Sequence, residues 1–280
     1  MDAPLELALW TAGSILLSAV GGLLAWAAGQ RPQSRLGQLG TSLTGNPFGR
    51  ATVFLVRFAF YIGLPYIVLM NHVLSPVVVG LVGTQTSDLP WWLLGWNTSE
   101  WAKALIGGSD PAGGVTVGAL LPAGIAVAIL LLGWRNAFRA NLALRETGNA
   151  FPSGGLLPAP SIFVVVRESL FAEIHWAFYR AAPLAFIADP YWATLAGAVL
   201  VVLEWVLDPT WHAGLADGSR REALLMQLTW LALSASIFVL TRNVWPILVL
   251  HIILAWVVGR WIALFAARQS LVGQSGAGNR

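Results

Sequence analysis

Cysteine is absent from the 280-residue chain, which excludes disulfides, thiolate chemistry and Cys-ligated metal while leaving the compartment open. Any catalysis must then use Glu, Asp, His, Ser or Arg. Charge is scarce as well: Asp, Glu, Lys and Arg make up 10% of the residues against 57% apolar ones, where a soluble domain carries about 25% charged residues. So lean a complement cannot cover a soluble surface, and the solvent for most of this chain is expected to be lipid. Of the 16 basic residues only Lys103 is a lysine. The arginines scatter among loops and helix ends, so despite a net charge of +3 there is no basic stripe to hold a nucleic acid. An internal repeat is lacking too, and without a repeated half containing broken helices a transporter is disfavoured.

What the chain does have is long apolar runs. A helix crossing the ~30 Å hydrocarbon layer needs about 20 mostly apolar residues. About seven stretches qualify, near 5–28, 52–83, 114–134, 161–187, 190–207, 223–241 and 244–267. The expected fold class is therefore all-α, a polytopic transmembrane helical bundle forming one membrane domain. The second stretch holds Pro65 and Pro76 and reads as a kinked helix followed by an interfacial piece. The first carries Asp2 and Glu6 where a signal peptide has basic residues, and its apolar part is too long for one, so it reads as a retained helix.

Arginine placement sets the expected orientation. Arg31, Arg35 and Arg50 follow the first stretch, Arg135, Arg139 and Arg145 the third, and Arg220 and Arg221 the fifth. By the positive-inside tendency these loops are cytoplasmic, which puts the N-terminus outside and the C-terminus inside. The external loop at 84–111 carries Trp91, Trp92, Trp96 and Trp101, a cluster suited to the membrane surface. Residues 1–160 thus read as N-terminal transmembrane helices with this external loop, 161–268 as a helical membrane core, and 269–280 as a disordered tail.

Ionisable side chains inside lipid-spanning helices cost ~3 kcal/mol or more on insertion scales, so each is a functional candidate. The fourth stretch, SIFVVVRESLFAEIHWAFYRAAPLAF, holds Arg167, Glu168, Glu173, His175 and Arg180. Positions seven apart return to nearly the same helix face, so Glu173 shares one side with Arg180, and Glu168 shares the opposite side with His175. This helix is an active or ligand site, or else its ion pairs serve interhelical packing. Glu204, in LVVLEWVLDP, must be protonated or paired, and Arg180 or His175 is its natural partner. His251, mid-span in VWPILVLHIILAWVVGR, is the third candidate, against the plainer reading of a histidine that donates one hydrogen bond to a neighbouring helix. Asp208 and His212 read as solvated loop residues, His72 as interfacial, and Arg57 and Arg260 as snorkelling.

Two segments carry a family resemblance. SIFVLTRNVWPILVLHIILAW resembles the apolar helix, short Arg or Thr turn, Trp-Pro and His-bearing helix of the CPBP family, the CAAX-protease and bacteriocin-processing membrane enzymes. AFYRAAP is similar to the end of that family's EExxxR motif, with Arg180 as the Arg. The resemblance covers about 161–258. It implies an α-helical membrane bundle of a bacterial cytoplasmic membrane, with a site open to the cytoplasm where a glutamate-activated water attacks a peptide bond. His251 takes the place of the His in HxxxN/D. The chain departs from the pattern elsewhere: His175 and Trp176 stand where the family has its Glu pair, Glu204 lies in the region of the FxxxH histidine, and Ala255 replaces the Asn or Asp.

The catalytic candidates are accordingly Glu173, His251, Arg180, Glu204 and His175, with Glu173 as general base and His251 orienting the water or stabilising the oxyanion. A divalent metal is a candidate cofactor, because Glu173, His175, Glu204 and His251 offer two imidazoles and two carboxylates. Three functions stay open. The first is a CPBP-like intramembrane peptidase or diverged hydrolase acting on a peptide or membrane-protein substrate. The second is a non-catalytic accessory subunit or assembly factor of a larger membrane complex. The third is a pigment or haem protein with His251 or His175 as axial ligand.

Overall fold

The computed structural model describes residues 3–81, 161–216 and 218–277. All regular structure among them is helical: α1 (Ala3–Gln30), α2 (Arg35–Gly45), α3 (Pro47–Phe58), a π-helical turn (Ala59–Gly63), α4 (Leu64–Met70), α5 (Pro76–Val79), α6 (Ile162–Leu184), α7 (Pro190–Leu207), α8 (Pro209–Ala216), α9 (Gly218–Thr241) and α10 (Val244–Ala277). Among the described residues three helical segments are long and apolar enough to cross a membrane: Ala3–Gln30, the continuous run Pro47–Met70, and Pro190–Leu207. Ala223–Val239 and Val244–Arg260 are shorter apolar helices. The expected stretch at 114–134 and the Trp-rich loop at 84–111 lie outside the described residues.

Local chemistry explains the boundaries. Asn46 and Pro47 start α3, the Asn46 side chain accepting from the Gly49 amide and the proline filling the first turn, where no amide partner is needed. Pro65 has no N–H to donate to the preceding turn, and the ladder widens into the π turn just before it. The second stretch is thus interrupted as its prolines suggested, and α5 follows it as a short separate helix. Asp189 caps α7 through the Tyr191 and Trp192 amides. At the other end α10 runs on through Ala277, so most of the stretch expected as a disordered tail continues the helix. Once nucleated, a helix propagates cheaply through residues such as Ala266, Ala267, Gln269 and Leu271.

α6 sits at the centre, packing against α1, the π turn, α4, α5, α7 and α10. Thirteen of its 23 residues are buried, against four of the 28 in α1. Phe178, Tyr179, Ala181 and Ala182 of α6 form one core with Leu7 and Ile15 of α1, Val68 of α4 and Val201 of α7. A second core joins Leu233, Ile237 and Phe238 of α9 to Ile247 of α10.

Two glycines permit the closest approaches. Gly80 (φ 85°) follows α5 in the left-handed region, with Phe238 only 2.8 Å from where a Cβ would stand, and its carbonyl accepts from the Val244 amide at 3.0 Å. Gly197 brings α7 onto α6, since a Cβ there would lie 2.7 Å from the Arg180 Cα. The tight turn between α9 and α10 places Arg242 at φ 52°. The Asn243 side chain then accepts from the Trp245 amide to open α10.

Candidate functional site

The charged residues of α6 separate onto two faces, as their seven-residue spacing requires. On one face, Glu173 Oε1 accepts from His251 Nδ1 at 2.8 Å, which joins α6 to α10. Its other oxygen accepts from the Ser234 hydroxyl of α9 at 2.7 Å. Ser234 in turn accepts from Arg180 Nη1 at 2.9 Å, and Arg180 Nη2 stands 3.8 Å from the same carboxylate. Glu173, Arg180, Ser234 and His251 therefore make one connected cluster drawn from three helices. The Arg180 guanidinium also lies over the Phe238 ring, 4.5 Å from its centroid, a favourable cation–π placement.

His251 is clamped between two indoles. Trp230 stacks on it at 5.1 Å and 25°, and Trp176 at 5.8 Å and 18°. With the Glu173 carboxylate on Nδ1, the tautomer that donates from Nδ1 leaves Nε2 as a lone-pair site. Nε2 makes no hydrogen bond among the described residues, and the side chain keeps 10% of its surface exposed while that of Glu173 keeps 0%.

On the opposite face, His175 Nε2 meets Glu204 Oε2 of α7 at 2.8 Å. Of the two partners expected for Glu204, His175 is the one it has. Phe60 and Tyr61 of the π turn and Tyr179 of α6 pack their rings on His175, with centroids 5.0, 4.9 and 4.4 Å away. His175 Nδ1 is buried without a hydrogen-bond partner among the described residues. Tyr179 continues the polar line to α1, its hydroxyl 3.0 Å from Ser14 Oγ.

Toward the start of α6, Glu168 is held by Arg57 Nη2 at 2.6 Å and by Arg167 Nη2 at 2.7 Å. Arg57, expected to snorkel, is thus a half-exposed ion-pair partner whose guanidinium also faces Tyr61 and Phe171. Arg260 lies over Trp256. Asp208, expected in a loop, receives the Thr210 amide and hydroxyl and so initiates α8.

The five sequence candidates are all buried, but they fall into two groups: Glu173, Arg180 and His251 together, His175 and Glu204 together. No set of three or more His, Asp or Glu side chains among the described residues is placed to hold a metal ion. The four-ligand set of Glu173, His175, Glu204 and His251 is divided into two pairs because positions 173 and 175 point to opposite sides of one helix. Sequence reasoning did not single out Ser234, Trp176 and Trp230 on the first face, nor Tyr61, Tyr179 and Ser14 on the second. Ser234 could not be told from Ser236 two residues on, which instead bonds its own helix at Ala232 O.

A narrow crevice lies beside Arg180, lined by Trp176, Gly197, Val201, Leu231 and Ala235. It is too narrow to admit a water. Among the described residues Arg180 Nε and Nη2 have no hydrogen-bond partner, so there the guanidinium relies on Ser234, the Glu173 charge and the Phe238 face. Among the described residues, fold and site together define an all-helical arrangement with three apolar candidate spans and a charged central helix. No protein family, curated protein or solved structure matches the chain.

Proposed function

We propose that the chain is a multi-pass protein of a bacterial cytoplasmic membrane, built on a CPBP-like bundle of about seven spans, that hydrolyses peptide bonds at the Glu173–His251 dyad. The membrane reading draws on the apolar side chains left bare on α1, α3 and α7, among them Leu16, Leu17, Leu55, Val56, Leu195 and Val199. Such a belt is stable against lipid and not against water. The arginine-rich segment 31–50 then lies on the cytoplasmic side and the N-terminus outside.

The scaffold reading draws on the second pair. His175 stands where the resembling family has the first Glu of its pair, and Glu204 lies in the region of the FxxxH histidine, so their 2.8 Å contact reads as a Glu–His pair with its members exchanged. The catalytic reading rests on one observation: the 2.8 Å bond from His251 Nδ1 to Glu173, with the histidine and not the carboxylate keeping an exposed edge. That reverses the roles expected from the motif. His251 Nε2 takes the proton of the attacking water, Glu173 fixes the ring and stabilises the imidazolium, and the proton passes to the leaving amine as the peptide C–N bond breaks.

The test is cleavage of fluorogenic peptides by the protein in vesicles. Wild type cleaves, His251→Gln falls by at least the ~10²-fold typical of lost general base catalysis, and Glu204→Gln keeps its activity. Cleavage that survives His251→Gln overturns the dyad. A second reading, a non-catalytic accessory subunit or assembly factor, is favoured by the complete enclosure of Glu173, both of whose oxygens are already bonded. No cleavage by the wild type of any peptide supports it. The third reading, a His251-ligated pigment or haem, requires an absorption band above 400 nm in the purified protein, on the order expected for a porphyrin.

A further inference from the structure

Between two of the candidate spans lies a helix whose side chains the described part of the bundle leaves exposed. α2 is capped at its start by Ser34, whose hydroxyl accepts from the Gly37 amide at 3.1 Å, and it follows directly on α1 and precedes α3. Leu36, Leu39 and Leu43 recur at i, i+3 and i+7 and so share an arc of about 60°. They are exposed, Leu39 by 60%, and the adjoining Phe48 by 83%. Gln38 and Thr41 occupy the opposite side and are exposed too. Among the described residues none covers Leu36, Leu39 or Leu43 on one face or Gln38 and Thr41 on the other, and water suits only one of these faces. A boundary between an apolar and an aqueous phase suits both at once.

The charge around α2 names the boundary further. Arg31, Arg35 and Arg50 bracket the helix and are exposed, and none pairs with a carboxylate among the described residues. From Leu7 to Ser87 the sequence contains no Asp or Glu at all. Arg35 flanks the leucine arc, where its stem can follow the apolar surface while its head reaches outward. Asn46, which ends α2, also starts α3, so the chain turns from the membrane plane into the next span without a spacer. Trp26, 40% exposed near the end of α1, sits where an interfacial indole is favoured.

We propose that α2 lies in the membrane surface, with Leu36, Leu39, Leu43 and Phe48 among the acyl chains and Arg31, Arg35 and Arg50 on the phosphates of anionic lipids. The proposal rests on the reading that α1 and the Pro47–Met70 run span a bilayer, and its test separates the two. The cysteine-free chain allows single nitroxide labels at Leu17→Cys in α1, Leu39→Cys and Thr41→Cys, in vesicles of phosphatidylcholine and phosphatidylglycerol at 3:1. The expected result is oxygen-dominated relaxation at 17 and 39 and nickel-chelate-dominated relaxation at 41. In parallel, a fluorophore at Leu39→Cys is quenched by brominated phosphatidylglycerol at least about twofold more than by brominated phosphatidylcholine at equal mole fraction. That excess disappears when Arg31, Arg35 and Arg50 are all changed to Gln.

A label at 17 that reads as aqueous overturns the spanning reading and the proposal with it. A label at 17 in lipid with 39 in water, or with 39 and 41 both shielded from both relaxants, overturns the surface placement alone. Equal quenching by the two brominated lipids in the wild type overturns the anionic-headgroup assignment.

Discussion

Two carboxylate–histidine pairs flank the central helix, made of the same two functional groups at the same 2.8 Å separation, and their surroundings set them apart. Glu173 is tied to His251 and also to Ser234, with the Arg180 guanidinium 3.8 Å away. Arginine keeps its charge in a protein, so a permanent cation stands beside the Glu173 carboxylate, while His251 uses only Nδ1 on it and makes no hydrogen bond through Nε2 among the described residues. Glu204 has His175 as its basic partner, and imidazole can shed its charge. The His175 ring is closed in by Phe60, Tyr61 and Tyr179, with Nδ1 unpartnered among the described residues. The same pair of groups is thus a reactive edge in one setting and a fastening between α6 and α7 in the other.

The largest effect expected is that of removing Glu173. Glu173→Ala strands the Arg180 charge in the core, and breaking a buried pair in this way costs about 3–5 kcal/mol. The midpoint of thermal unfolding in detergent should fall further than for any other single change at the two pairs. A loss no greater than that of Glu204→Ala would erase the distinction between them.

Glu204→Ala is expected to cost less, about 1–3 kcal/mol, because no permanent cation is stranded and only a buried hydrogen bond is lost. A double-mutant cycle with His175→Ala sharpens the point. It should give a coupling of about 0.5–3 kcal/mol for 175–204 and none beyond error for 173–204, whose side chains lie on opposite faces of α6. Smaller still is Tyr179→Phe, which frees Ser14 Oγ and should cost about 1 kcal/mol in the same unfolding experiment. At the bottom of the order is Arg57→Gln. Both partners of that ion pair are about two-fifths exposed, and surface pairs contribute about 0–1 kcal/mol.

Much of this arrangement was legible in the residues. The periodicity of α6 put Glu173 with Arg180 and Glu168 with His175, and the contacts follow that division. The requirement that a buried carboxylate be paired pointed from Glu204 to the fourth stretch, and His175 meets it. The apolar stretch expected at 190–207 matches the bounds of α7. What did not read through depends on which helices become neighbours. The Ser234 hydroxyl reaches Glu173 only because α9 packs beside α6 at that level, and the Trp176 and Trp230 clamp on His251 joins three helices. The divided metal set shows the same limit: four suitable ligands in the chain say nothing of how many faces they occupy. Local propensity also explains the extension of α10 to Ala277, since a polar, glycine-containing tail still propagates a helix once a long apolar one precedes it.

The contrast between the two histidines can be read in one experiment. The chain has four, His72, His175, His212 and His251, and diethyl pyrocarbonate acylates an unprotonated, reachable imidazole nitrogen. With the exposed His72 and His212 as internal references, peptide mapping by mass spectrometry after timed exposure of the folded protein should show His251 modified and His175 untouched. His175 reacting as fast as His251, or His251 still unmodified when His72 and His212 are fully converted, would contradict the assignment of His251 as the reactive edge of the dyad.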